Sequence, residues 1–230
     1  MLNRRSFVAL GAMSGLMACA APVAPVPEVV APAVLPPLPG FYGAITNEPY
    51  PIPAVPEGVL DPALWRQEVA NPWPERPRGT IIVDPDAAVL HFVEGRDTAT
   101  RYGVSVGAEG FAWAGTARLQ FTREWPVWRV PASMIERKPE LAPYSVAKGG
   151  MPPGPGNPMG ARALYLFQGQ VDTLYRVHGG ALARELGKPV SSGCIRLLDQ
   201  DAIHLHARSV HGADVVVLAS IRPAGGAQIY

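Results

Sequence analysis

Two residues with complementary chemistry stand close together in this chain. His178 lies in the run YRVHGG at positions 175–180, and Cys194 follows sixteen positions later in SSGCIRLLD at 191–199. An isolated cysteine has a pKa near ~8.5, so a thiol that works as a nucleophile at neutral pH needs a base, and imidazole is its usual partner. Gly193 lets the backbone approach a substrate closely, which makes the amides around Gly193 and Cys194 a candidate oxyanion hole. The pair therefore points to nucleophilic catalysis by a thiolate.

These residues need a rigid frame, and the surrounding pattern supplies one. Apolar runs at 80–83, 88–93 and 100–106 read as successive strands, with DPD at 84–86 and EGRD at 94–97 as turns, so a β-meander is expected. Further strands are expected at 163–167, 173–177 and 214–218, which puts His178 at a strand end. The segment MPPGPGNPMG at 151–160 is too rich in Gly and Pro for regular structure and reads as a loop. A helix is expected after the cysteine. Asp199 is placed to cap it, Asp201 falls in its first turn where the helix dipole favours an anion, and Leu198, Ala202 and Leu205 share one face. Residues 131–138 form a weaker helical candidate.

At 230 residues, with 48% hydrophobic and 17% charged content, the chain is long and apolar enough to bury a sizeable core and is not a disordered polymer. A net charge of +1 marks no nucleic-acid partner. The opening MLNRRSFVALGAMSGLMACA has a basic start, a short apolar run and small residues, the layout of a secretory signal. Its apolar run spans only about 18 Å as a helix against a hydrocarbon core of about 30 Å, which argues against a permanent membrane span. Arg4 and Arg5 resemble a twin-arginine signal, with general secretion as the alternative. LMAC at 16–19 resembles a lipobox that would lipidate Cys19; the rival reading is an ordinary cleavage site. Either cleavage leaves Cys194 as the one thiol of the exported part, which suggests intermolecular pairing or a reactive thiol, the rival reading being a buried inert cysteine. Fifteen of the 26 prolines fall within 21–78. Residues 21–39 read as an extended spacer reaching about 60 Å. Residues 40–78 carry Phe41, Tyr42, Trp65 and Trp73, and are expected to lie against the domain. The expected organisation is a signal peptide over 1–19, a tether and arm over 20–78, and a catalytic domain over 79–230.

The segment from His178 to Arg196 resembles the signature of the YkuD-type L,D-transpeptidase catalytic domain, His-Gly followed after fourteen to seventeen residues by Ser-x-Gly-Cys-x-Arg or Asn. YGVSVGAEGFAWAGTA and GGMPPGPGNPMGARALYLF are similar to segments of its cell-envelope, ErfK-like members. The resemblance covers about residues 79–219. It implies a mixed α/β, mostly β sandwich and a reaction on peptidoglycan stem peptides, in which a thioester replaces the bond to D-alanine and an amine then takes the acyl group. Carried over, Cys194 is the nucleophile and His178 the base. Gly179 offers its carbonyl to orient the imidazole, and Arg196 is placed to hold a substrate carboxylate. The chain departs from the pattern at Ser192, where many members have histidine, which makes Ser192 a candidate donor to the oxyanion. A second departure is Gly180, where relatives often have threonine.

Asn157 and Arg162 flank the Gly/Pro loop and are candidate substrate contacts. His91, His204, His206 and His211 read as structural, since His204 and His206 point about 200° apart on a helix and cannot share a metal. Trp113, Trp125 and Trp128 read as packing rather than a sugar platform. Neither a metal nor a cofactor is expected, and no phosphate loop or internal repeat is present. The expected partner is peptidoglycan, joined by a membrane if Cys19 is acylated, and the chain is expected to be monomeric. Sortases share the order His, Cys, Arg but not this spacing, and papain-like peptidases reverse it. A catalytically idle wall-binding scaffold is the alternative outside the enzymes.

Overall fold

The structure is a computed structural model that describes residues 35–107, 113–188 and 193–221. Strands β2 (Ile81–Asp84), β3 (Val89–Val93) and β4 (Thr98–Gly103) form the expected antiparallel meander, with Ile81 opposite Phe92 and Leu90 opposite Tyr102. The first turn is held by the Asp84 carboxylate, which accepts N–H bonds from Asp86 and Ala87 at 3.0 and 2.9 Å. In this way a short acidic side chain substitutes for the interrupted backbone ladder.

Among the described residues ten strands complete one sheet, in the order β1-β4-β3-β2-β10-β6-β7-β8-β9-β5. The other strands are β1 (Gln67–Ala70), β5 (Ser105–Val106), β6 (Gly115–Glu124), β7 (Arg162–Gln168), β8 (Val171–His178), β9 (Ile195–Arg196) and β10 (Asp214–Val217). The run expected as one strand over 100–106 is two strands with Val104 between them, one second in the order and the other last. A sheet whose ends are tied by a single residue must fold over on itself, which gives the sandwich its two layers. The core between them holds Ile81, Phe92, Tyr102, Leu119, Leu164, Val177, Ile195 and Val215, all 2% exposed or less. The ten-residue strand β6 is missing from the sequence reading, because only Ala117 and Leu119 of its side chains are buried and its other positions are largely polar.

Among the described residues two α-helices accompany the sheet. Helix α1 (Ala132–Arg137) lies where the weaker candidate was placed, and α2 (Asp199–Arg208) follows the cysteine, with Ala202 and Leu205 in the core. The arm packs as expected. Tyr42, Val55 and Leu60 form a second apolar cluster with Ala181, Leu186 and Leu198. Its strand β1 extends the meander, pairing with β4.

Candidate active site

Strands β8 and β9 run parallel, with Val177 opposite Ile195 and His178 opposite Arg196. Val177 and Ile195 point into the core at 0% and 2% exposure. Strand alternation therefore turns His178 to the other face, and the same alternation carried one residue back from β9 puts Cys194 on that face, diagonal to His178. Gly193, at φ +119°, makes the turn that delivers the cysteine and has a backbone conformation that L side chains rarely adopt. Cys194 is half-buried. It opens into a cleft of about 550 Å³ walled by Trp128, Arg129, Met134, Met159, Tyr175 and Arg176.

His178 is 4% exposed. Its Nδ1 lies 2.8 Å from the Gly179 carbonyl oxygen, the partner expected from the family pattern. A carbonyl can only accept, so Nδ1 carries the proton and Nε2 is left with the lone pair of a base. Burial first, and then the Arg196 guanidinium, pull the imidazole down to about 4, while the backbone at Gly179 and Met159 acts the other way. The ring is neutral at neutral pH and ready to receive a proton.

The turn after His178 is clamped on every side. Gly179 N–H donates to the Arg162 carbonyl at 2.9 Å, and Leu197 N–H donates to the His178 carbonyl at 2.8 Å. Arg196 Nη2 donates to the Gly180 carbonyl at 2.7 Å and pairs with Glu185 at 3.2 Å. That terminal nitrogen braces the turn, where the sequence suggested a grip on a substrate carboxylate. Asp199 also departs from expectation. Leu198 is the N-cap of α2 without a side-chain bond, and the Asp199 carboxylate instead accepts from Ala161 N–H at 2.7 Å and Gly180 N–H at 3.0 Å. The departure at Gly180 has a steric cause: its φ is +75°, and a Cβ there would lie 2.6 Å from the Pro158 carbonyl oxygen.

Asn157 and Arg162 flank the Gly/Pro loop but are committed to protein. Asn157 is 7% exposed; its Nδ2 faces the carbonyls of Pro126, Met151 and Pro152, and its Oδ1 accepts from Met159 N–H. Arg162 makes a two-pronged pair with Glu48 of the arm at 2.6 and 3.0 Å. Both residues hold the loop in place through these bonds. Asp201, read as a helix stabiliser, is fully buried and serves as an anchor for the arm. Tyr42 Oη–H donates to it at 3.1 Å and Arg66 pairs with it at 3.3 Å. Ser192 and Cys19 lie outside the described residues.

Several other aromatic and imidazole side chains have structural partners. Trp113 stacks on Tyr175 at 4.9 Å, Trp125 donates to Glu48 at 2.8 Å, and His91 meets Trp73 edge-on. His204 Nδ1 is 2.8 Å from Tyr102 Oη. Trp128 is the exception, since it lines the cleft. Among the described residues no group of His, Cys, Asp and Glu is placed to hold a metal ion. The sequence reading missed the arm's contribution through Glu48, Tyr42 and Arg66. Nothing local marks these residues, because their charged partners Arg162 and Asp201 lie more than a hundred positions away.

Residues 78–217 match the family model described as YkuD, L,D-transpeptidase catalytic domain. The probable L,D-transpeptidase YbiS of Escherichia coli K12 is 27% identical over 161 residues, which cover 66% of this chain and 49% of that one. The probable L,D-transpeptidase ErfK/SrfK of Salmonella typhimurium is 28% identical over 151 residues, 63% of this chain and 46% of its own. The chain thus spans about half the length of these curated relatives. A solved chain from Brucella melitensis, described as a probable carnitine operon oxidoreductase caia, is 43% identical, covering 69% of this chain and 96% of that one at a TM-score of 0.47.

Proposed function

The chain belongs to the YkuD family of L,D-transpeptidase catalytic domains, and we propose that it is an exported cysteine acyltransferase that remodels peptidoglycan stem peptides, with Cys194 as nucleophile and His178 as base. The observation that carries this reading is the His178 ring, tied through Nδ1 to the Gly179 carbonyl on the sheet face it shares with Cys194. In other triads a carboxylate does what this carbonyl does, fixing the tautomer and the plane of the imidazole.

The steps follow from that geometry. Nε2 of His178 takes the thiol proton as Sγ attacks the stem-peptide carbonyl. The amides around Gly193 and Cys194 receive the oxyanion, in the role that preorganised backbone donors play in acyl transfer. Collapse of the tetrahedral adduct breaks the bond to D-alanine, whose nitrogen recovers the proton from His178, and leaves a thioester. An amine on a neighbouring stem loses its proton to Nε2 as it attacks. Collapse then releases the thiolate, which takes that proton back. Water in place of the amine gives hydrolysis, and the amine of an envelope protein gives attachment; the same two residues serve all three outcomes. The opening twenty residues support export, with Cys19 as a lipid anchor point in the lipobox reading.

Incubation of the protein with purified disaccharide tetrapeptide, followed by mass spectrometry, tests the proposal. D-alanine release and an acyl adduct on Cys194 are expected, together with a cross-linked dimer if the acceptor is a second stem. No acyl-enzyme and no D-alanine release would overturn it. A covalent carbapenem adduct on Cys194 is a second expected outcome. Intact mass of the membrane fraction reads the anchor: acyl groups on Cys19 support it, and a chain starting at Ala21 without them removes it.

A further inference from the structure

The turn after His178 is built around a carboxylate that the reaction above does not use. Asp199 Oδ1 accepts two backbone N–H groups, from Ala161 and Gly180, and Asp199 has no ion pair among the described residues. Glycine makes the room for it. A Cβ at Gly179 would stand 2.1 Å from that oxygen, and one at Gly160 would stand 2.2 Å from it. Three close-packed glycines, 160, 179 and 180, thus surround one acidic side chain.

The Gly180 N–H and the Gly179 carbonyl are the two ends of a single peptide group. One end donates to Asp199 at 3.0 Å, and the other accepts from His178 Nδ1 at 2.8 Å. Carboxylate, peptide and imidazole therefore form one continuous chain of hydrogen bonds. An anion accepting from the N–H end pushes electron density toward the carbonyl oxygen, which makes it a stronger acceptor for the ring proton. The next peptide is pinned from the opposite side by Arg196 on the Gly180 carbonyl. The relaying group is thus held at both flanks.

We propose that Asp199 is a positioning residue that acts through the 179–180 peptide: it holds His178 in the Nδ1–H tautomer and strengthens the base that Nε2 presents to Cys194. The proposal rests on the reading of His178 as the base for that thiol. It gives this turn the function that a directly bonded carboxylate has in a Ser-His-Asp triad, with a backbone amide inserted between acid and imidazole.

The test compares the wild-type protein with D199A, D199N and, as a control on the same helix, D201N. Three measurements are made on each: nitrogen-15 NMR of the histidine ring, the rate of Cys194 alkylation by iodoacetamide at neutral pH, and the melting temperature. In the wild type a single Nδ1–H tautomer with a downfield ring proton is expected. D199A should lose that signature and slow alkylation on the order of 10- to 100-fold, the scale seen when an outer partner of a functional imidazole is removed. D199N keeps an oxygen acceptor, so it should keep the tautomer and recover most of the rate, with the ring proton shifted upfield. D201N should leave tautomer and alkylation at wild-type values whatever happens to its melting temperature. A wild-type tautomer and rate in D199A would overturn the proposal, as would equal losses in D201N. If D199A does not fold, an unshifted ring proton in D199N overturns it instead. Wild-type alkylation no faster than that of H178Q would remove the Cys-His reading itself, while the ring spectra still report on Asp199.

Discussion

At the scale of single residues, the neighbourhood of His178 is dense with backbone that tolerates no side chain. Gly180 combines φ +75° with a Cβ position 2.6 Å from a carbonyl oxygen. Gly180→Ala is therefore expected to lose about 1–3 kcal/mol of stability, the usual cost of a strained backbone position, read as a lowered denaturant midpoint. The imidazole makes a second prediction. Its pKa of about 4 lies below the ordinary histidine value of 6.5, so the base stays neutral well into acid. Cys194 acylation should therefore lack a histidine limb near pH 6.5 and fall only as pH approaches about 4. The same group stabilises the fold fully above pH 6.5 and loses that contribution as pH drops toward 4. Cys194, His178 and the Gly179 carbonyl were legible in the sequence because the motif keeps them within twenty positions. Asp199 was read only as a helix cap, since nothing local reveals that residues 161 and 180 supply its donors. The bond from Arg196 to the Gly180 carbonyl was hidden for a related reason, since the two residues lie sixteen positions apart and meet only across the turn.

At the scale of elements, the arm is fastened by two buried polar nodes. Arg162 side chain is 7% exposed, and its terminal nitrogens meet Glu48 in a two-pronged bond. Glu48→Ala leaves that guanidinium buried without its main counter-charge, a change that costs on the order of 3–5 kcal/mol in buried pairs. The expected result is a large fall in melting temperature. The second node is Asp201, which burial raises to about 7 in spite of Arg66 and the Tyr42 hydroxyl. A folded-state pKa above the ordinary value near 3.8 means that its contribution is full below pH 4 and is lost as pH rises through 7. Asp201→Asn should remove that dependence, so the stability difference between variant and wild type moves in the variant's favour from pH 4 to pH 7. Chemical denaturation at a series of pH values checks it. The meander, β7, β8, β10 and α2 were all legible, because apolar runs bounded by Gly, Pro and Asp mark their ends. Strand β6 was overlooked although Ala117, Leu119 and Phe121 alternate with polar residues, because only two of its ten side chains are buried and Arg, Gln, Thr and Glu dominate the rest. The split at Val104 also escaped notice, because a strand that changes layers keeps its local pattern.

At the scale of the whole molecule, the arm and the sheet share one buried surface. Tyr42, Val55 and Leu60 cover Ala181, Leu186 and Leu198, which flank strand β9 in the chain. A chain starting at Gly79 would expose those side chains and leave Arg162 and Asp201 without Glu48, Arg66 and Tyr42. Such a truncation is expected to melt at markedly lower temperature and to acylate slowly or not at all; wild-type melting and acylation would show that the arm is dispensable. The motifs pointed to a catalytic domain beginning near residue 79, and the contacts place its structural support further upstream. The single-residue link at Val104 has a consequence in time. Strand β9 has two residues, and one of its two neighbours comes from a distant part of the chain: β8 ends only sixteen positions before Cys194, but β5 lies almost ninety positions before it. So short a strand cannot persist before those neighbours are in place, and β5 reaches it only once the sheet has doubled over. If Cys194 is the proposed nucleophile, its activation is expected among the final events of folding. The onset of Cys194 reactivity in a refolding experiment should then coincide with closure of the sheet, and reactivity that precedes it would show otherwise.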